Sequence, residues 1–386
     1  MIRCVAHVRA VLRLLERSPV VAILGARQVG KTTLAGQVVR ARRGPSRMFD
    51  LEDDRDRAAL ADPIRVLEPL RGLVVLDEIQ NLPGVFRALR VLADRPGRPA
   101  RFLVLGSAGE SLLRQSAESL AGRIALHEVR PLALDEVGRR ELETLWWRGG
   151  FPPSFLAADD GESLRWRRDF VRMFVQRDLP ELGVTIPSAT MARFWSMLAH
   201  VHGGLWNGSE IARAFGVSHT TVRRWLDLLV ATFVVRILPP WHENLARRQV
   251  KSPKVFIADT GLVHAMHDIV SREALEGHPV VGRSWESFGM ETVVRRLGAR
   301  PDQCFFWATH QGAELDLLVV AGGRRLGFEF KRTSAPTVTA SMRIAMRDLR
   351  LESLAVIHAG RHRFDMDEGI HAVPLASVLL AVDPLG

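Results

Sequence analysis

Val20-Val-Ala-Ile-Leu24 runs directly into Gly25-Ala26-Arg27-Gln28-Val29-Gly30-Lys31-Thr32-Thr33, and this junction decides how the first third of the chain folds. Five consecutive apolar residues, set off by Pro19 and Gly25, read as a strand buried on both faces. Gly25 to Thr32 matches G-x-x-x-x-G-K-[ST], and a helix is expected from Lys31. Glycines let the backbone turn tightly, so that successive N–H groups converge on an anion, and the helix start adds its dipole. Lys31 then reaches the β- and γ-phosphate oxygens of a nucleotide, and the Thr32 hydroxyl is a ligand for Mg²⁺. The expected ligands are therefore ATP and Mg²⁺, held by residues 25–33.

Working outward, the same alternation continues. Met48–Leu51 is a short strand candidate, Leu73–Leu76 a second buried strand, Leu82–Leu92 has helical spacing, and Arg101–Leu105 is a third buried strand. Apolar strands separated by helices indicate a parallel sheet covered on both faces. Asp77-Glu78 ends the strand LVVLDE, and such an end lies beside the phosphate loop in an open α/β sheet. Asp77 suits Mg²⁺ anchoring through water, and Glu78 suits polarisation of an attacking water. Ser107, just past RFLVLG, suits either contact with the γ-phosphate or a helix N-cap. Arg123 suits neutralisation of transition-state charge, in cis or from a neighbouring subunit, or else a surface ion pair with Glu118 or another acid.

These residues resemble a known family. The strings GARQVGKTTL, LVVLDEIQNLP, FLVLGSA and ESLAGRIALHEVRPLALDEV look like the prokaryotic AAA-type ATPases that carry a C-terminal domain of unknown function. VSHTTVRRWLDLLVATFVVRILPPW, VKSPKVFIADTGL and VGRSWESFGMETVV look like that family's second half, so the resemblance covers nearly the whole chain. It implies an α/β fold with a P-loop parallel-sheet core, a helical lid and winged-helix-like segment, and an α+β restriction-endonuclease-like C-terminal domain. Asp77, Glu78 and Arg123 fall on its motif positions. Phe233 and Phe256 stand where the family often has Tyr, and this chain has no tyrosine. The expected boundaries are 1–140, 141–240 and 241–386.

In the middle segment, Leu132–Leu145 and Ser163–Leu179 read as helices around the break at 149–153. Residues 207–226 have a helix-turn-helix shape, with Ser209 and Ser218 as caps, Gly216 at the turn, and Val222, Trp225, Leu226 and Leu229 as the apolar stripe. That leaves His219, Thr220, Arg223 and Arg224 outward, where they suit DNA contact; the same shape also serves as a packing or protein-docking unit. Arg247, Arg248, Lys251 and Lys254 form a basic stretch around Pro253.

The last segment carries Asp316 in GAELDLLVV and Glu329 and Lys331 in GFEFK, on neighbouring strands around Gly322-Gly323. Alternation puts Glu329 and Lys331 on one face, and Glu314 and Asp316 on one face. Glu286 or Glu291, on the preceding helix, completes the set. Asp…Glu-x-Lys after an acidic helix resembles the restriction-endonuclease-like fold, which implies two carboxylates on Mg²⁺ and a lysine that positions water. The plainer alternative is a cross-strand salt-bridge set. His200, His202, His264 and His267 have no acid or cysteine to complete a tetrahedral metal site, and core or surface histidines are expected.

Composition agrees with a globular chain. Of 386 residues, 47% are hydrophobic and 25% charged, which excludes fibrous and largely disordered classes. No apolar run approaches a membrane span. Two distant cysteines, Cys4 and Cys304, exclude a disulfide scaffold, and the expected compartment is the cytoplasm. Lys+Arg 53 against Asp+Glu 43 gives +10, a balance that favours polyanions. The reading is an ATPase that couples nucleotide state to DNA binding or processing. The other reading is a nucleotide-dependent switch that docks protein partners with a degenerate nuclease-like domain. The oligomeric state stays open.

Overall fold

The computed structural model describes residues 2, 4–97, 99–107, 120–242 and 250–385. They form two compact units, one of residues 1–131 with 228–234 and one of 132–227 with 235–386.

In the first unit, helix α1 (Val5–Arg17) buries Val11 and Leu15 and leads into strand β1 (Val20–Leu24), all five residues of which are buried. Helix α2 (Lys31–Ala41) follows the loop. Strands β2 (Ser46–Asp50), β3 (Gly72–Asp77), β4 (Ala100–Gly106) and β5 (Ile124–Glu128) complete a five-stranded parallel sheet. The order is β2-β3-β4-β1-β5. Val20 pairs with Phe102 on one side and Ile124 on the other. The loop after β1 therefore opens at the C-terminal edge of a central strand, where connections diverge and a crevice forms. Leu24, Phe49, Leu76, Phe86, Leu89, Phe102 and Val104 build the core, with Phe233 of the 228–234 segment packed against it. Each such fully buried side chain contributes about 1.5–3 kcal/mol, so the loop stands on a rigid base.

β5 is absent from the sequence reading. It is an edge strand of five residues with only partial, alternating burial. So short a half-buried strand carries little apolar signal of its own.

In the second unit, the first helix expected from sequence is two short ones, Leu134–Val137 and Leu142–Arg148, with a 3₁₀ turn between them. The second runs from Asp160 to Met173, capped by the Asp159 side chain, and widens into a π-turn at Phe174–Asp178. Helix Ser188–His200, strand β6 (Gly204–Leu205), helices Gly208–Phe215 and His219–Ala231 (the latter ending in the 228–234 segment), and strands β7 (Val235–Leu238) and β8 (Lys254–Ile257) then follow in that order. The antiparallel order is β6-β8-β7. β8 lies beyond the boundary expected at 240, yet it pairs with β6 and β7.

Helix Val281–Leu297 precedes a six-stranded mixed sheet. Its strands are β9 (Cys304–Ala308), β10 (Glu314–Ala321), β11 (Arg324–Lys331), β12 (Ser353–His358), β13 (Phe364–Asp367) and β14 (Ile370–Pro374), in the order β13-β14-β12-β11-β10-β9. Trp307, Leu315, Leu318, Met342, Leu354 and Val356 form a core on it. Among the described residues, no helix is long and apolar enough to cross a membrane.

Candidate nucleotide site and C-terminal charged cluster

Local backbone chemistry shapes the loop. Gly30 caps α2 at φ 101°, a left-handed conformation that glycine adopts at no steric cost. A β-carbon on Gly25 would lie 2.2 Å from the Val129 carbonyl oxygen, just past β5. That strand end is fixed, because the Val129 N–H donates to the Leu24 carbonyl at 2.7 Å. Gln28 is also left-handed, at φ 61°, in an exposed part of the bend.

Lys31 is buried, and its Nζ donates to the carbonyl oxygens of Gly25 (3.1 Å) and Ala26 (3.0 Å). Burial pulls the ammonium pKa down, against the opposing fields of Glu78 and Asp77, while Arg27 adds to the lowering. Thr32 Oγ1 donates to Asp77 Oδ2 at 2.7 Å. Asp77 is buried at the end of β3, and burial raises its pKa although the Thr32 bond works the other way. Asp77 Oδ1 accepts from the Glu78 N–H at 2.9 Å. Glu78 sits at φ 48°, the kind of strained backbone that persists where a site imposes it. Its carboxylate accepts from Gln80 Nε2 and, at 3.3 Å, from Ser107 Oγ; Gln80 Nε2 also lies 3.2 Å from Ser107 Oγ. Loop, Thr32, Asp77, Glu78 and Ser107 thus meet at one edge of the sheet. Gln80 joins them without a sequence expectation; its signal was its place two residues after Glu78.

The structure does not bring Arg123 to this loop. Its carbonyl accepts from the Val20 N–H, so it stands at the opposite, N-terminal edge of β1. Five strand residues span roughly 16 Å. Its side chain is engaged there, with Nε and Nη2 on Asp94 at 2.6 and 2.9 Å. Of the two chemistries open to this residue, the ion pair with an acid is the one seen within the chain. Glu118, the named acid that suits an ion pair with Arg123, lies outside the described residues, as does the stretch that Ser107 would cap.

In the second unit, His219, Thr220, Arg223 and Arg224 are all exposed on the second helix of the pair. Arg223 Nε donates to Asp227 Oδ1 at 2.9 Å. The first helix is capped by the Asn207 side chain, which accepts from the Glu210 N–H, rather than by Ser209; Ser218 caps the second through Thr221.

The C-terminal acids converge. Lys331 Nζ lies 2.8 Å from Glu329 and 3.8 Å from Asp316. Asp316 also accepts from the Phe330 N–H at 3.0 Å. Lys254 of β8 is ion-paired with Glu314 and lies 4.0 Å from Asp316. Glu286 shares this field: burial, then Asp316, raises its pKa to about 7, and the same two causes raise Glu329 to about 8. Burial works against the Lys331 ammonium, but Glu329, Asp316 and Glu286 together lift its pKa. Glu291 is not part of the cluster; it pairs with Arg236 and with Arg295 at 2.7 Å. Lys254 belongs to the basic stretch around Pro253, of which Arg247 and Arg248 lie outside the described residues. Among the described residues, no group of three or more His, Cys, Asp or Glu is arranged to hold a metal ion.

Comparison with known proteins adds the family. Residues 17–138 match an AAA domain, and residues 139–273 and 281–378 match two domains of unknown function, DUF8612 and DUF4143. The uncharacterized proteins Rv2008c of Mycobacterium tuberculosis and Mb2031c of Mycobacterium bovis are each 48% identical over 367 residues, covering 95% of this chain and 82% of theirs. The Walker-type ATPase paby2304 of Pyrococcus abyssi is similar in fold, with a TM-score of 0.50 and 16% identity over 69% of this chain and 96% of its own.

Proposed function

Because the chain belongs to the family of these mycobacterial proteins, with an AAA-type ATPase domain at residues 17–138, we propose that it is a Mg²⁺-dependent ATPase whose nucleotide state governs DNA binding or processing by its C-terminal half. One observation carries the ATPase reading. A buried ammonium hydrogen-bonded to two loop carbonyls stands beside a hydroxyl–carboxylate pair. That donor set fits a phosphate tail and a hard, oxygen-seeking cation.

Mg²⁺ would be held by the Thr32 hydroxyl and, through water, by Asp77, and would supply neutralisation of charge on the phosphate oxygens; the Thr32–Asp77 hydrogen bond already brings those two groups together. Lys31 turns its amine from the carbonyls of Gly25 and Ala26 toward the β,γ oxygens. Glu78 orients and polarises the attacking water, and its contacts with Gln80 and Ser107 restrict where that carboxylate points. Purified Lys31→Ala is expected to lose nucleotide binding, and Glu78→Gln to bind ATP but turn it over about 100-fold more slowly or less. Undiminished hydrolysis in Lys31→Ala would refute the site.

The DNA link rests on the exposed face of His219, Thr220, Arg223 and Arg224, in a helix–strand–helix–helix–strand–strand order like that of a winged helix. Convergence of Glu286, Asp316, Glu329 and Lys331 supports processing. The two lysines that already neutralise those acids favour the second reading, a protein-docking switch with a degenerate nuclease-like domain. A salt titration of duplex DNA binding separates the two. Affinity that falls linearly on a log–log scale supports the first, and no binding at low salt supports the switch.

A further inference from the structure

We propose that Arg27, within the phosphate loop, is the arginine that meets the terminal phosphate of ATP, and that Glu52 holds it when that phosphate is absent. The inference rests on the ATPase reading. Phosphoryl transfer is served by a guanidinium at the departing phosphate, in addition to the loop lysine and the metal ion. Arg123 stands at the far edge of the sheet, on Asp94. Arg27 lies in the loop itself, close enough to Lys31 for its charge to oppose that ammonium.

Arg27 Nη2 donates to Glu52 Oε1 at 3.0 Å, with about half of the Glu52 side chain exposed. Glu52 is itself placed by the sheet. Its N–H donates to Asp50 Oδ1 at 3.0 Å, and Asp50 is the register partner of Asp77. The acid that holds Arg27 thus belongs to the turn after β2, beside the Mg²⁺ residues. A half-exposed pair of this kind contributes about 0–1 kcal/mol. An arginine–phosphate contact is bidentate, charge-assisted and stronger. The terminal phosphate of ATP therefore outcompetes Glu52, whereas ADP lacks the group that would displace it. Arg27 becomes the element that tells ATP from ADP, and Glu52 the first residue released when ATP binds.

The test measures ATP and ADP affinities by calorimetry with Mg²⁺, alongside turnover, for the wild type, Arg27→Ala, Arg27→Lys and Glu52→Gln. Arg27→Ala is expected to lose at least about 10-fold of the preference for ATP over ADP and about 10³-fold in turnover, with ADP affinity little changed. Arg27→Lys should recover part of both, since it keeps the charge but not the fork. Glu52→Gln should tighten ATP and leave ADP unchanged, which decides the matter even if Arg27→Ala misfolds. An unchanged ATP/ADP ratio in Arg27→Ala overturns the proposal. So does a Glu52→Gln variant that loses as much turnover as Arg27→Ala, because the pair would then be structural. A wild type that binds neither nucleotide overturns the ATPase reading and this proposal together. A wild type that binds and hydrolyses ATP, with Arg27→Ala unaltered, overturns this proposal alone.

Discussion

Mild acid should draw stability from the second unit through two histidines. His202 and His264 are both fully buried. His202 Nδ1 accepts from the Ile257 N–H at 3.1 Å, so its proton sits on Nε2, which faces Ser287 Oγ at 2.9 Å. His264 Nδ1–H faces the Trp147 carbonyl at 3.0 Å, and its Nε2 accepts from Ser284 Oγ at 2.7 Å. Each ring is thus wired as the neutral form. Burial is the main cause that pushes both pKa values down to about 3. Their charged neighbours are cationic or become so: His264, His267, Arg283 and Arg236 around His202, and Arg167, His267 and His278 around His264.

The folded pKa lies below the unfolded value of about 6.5, so the unfolded chain binds more protons between roughly pH 3 and 6.5. Stability from this source is complete above that window and is lost as pH falls through it. The slope is about 1.4 kcal/mol per pH unit for each ring, or about 2.5 kcal/mol for the pair between pH 7 and 5.5. Glu286 and Glu329, with raised pKa values, have the opposite sign. The informative quantity is therefore the difference between wild type and variant. All nine tryptophans lie in the second unit, between Trp146 and Trp307, so urea unfolding followed by tryptophan fluorescence reports that unit alone. His202→Gln and His264→Gln should each start less stable, yet lose about 1.2 kcal/mol less than the wild type between pH 7 and 5.5. If both variants keep the wild-type pH dependence, the wiring argument is wrong.

Three further outcomes are expected. Gly25→Ala would place a β-carbon 2.2 Å from the Val129 oxygen, and should cost about 1–3 kcal/mol in a thermal melt while weakening nucleotide binding; an unshifted melting temperature would contradict it. Arg224→Ala should lower the magnitude of the log–log salt slope of DNA binding by about 1; an unaltered slope would remove that residue from the interface. If the C-terminal cluster cuts DNA, Asp316→Ala and Glu286→Gln should abolish Mg²⁺-dependent nicking, and a wild type that nicks no form of DNA retires the nuclease reading.

The candidate sites were legible where their residues are contiguous or lie on one hairpin. Asp316 and Glu329 meet because β10 and β11 pair with Leu317 opposite Phe328, and alternation carries Lys331 to the same face. Glu286 and Glu291 are about 140° apart around one helix, so only one of them was able to join. Arg236 and Arg295 took Glu291, a choice with no local signature. Lys254 reaches Glu314 from 60 residues away, which no spacing reveals.

By itself, the sequence determined the phosphate loop, the acid pair ending β3, the parallel class of the first sheet and the β10–β11 hairpin. Each of these is written in neighbouring residues, as a glycine pattern, an apolar run or an alternation. Tertiary structure alone decided that Arg123 faces Asp94, that Arg27 rests on Glu52, that Gln80 braces Glu78, and that two histidines are locked neutral in the second unit. Those outcomes depend on which distant side chains share one small volume. Register and packing set that volume, because a buried charge or ring nitrogen must find its partner wherever the fold has placed one.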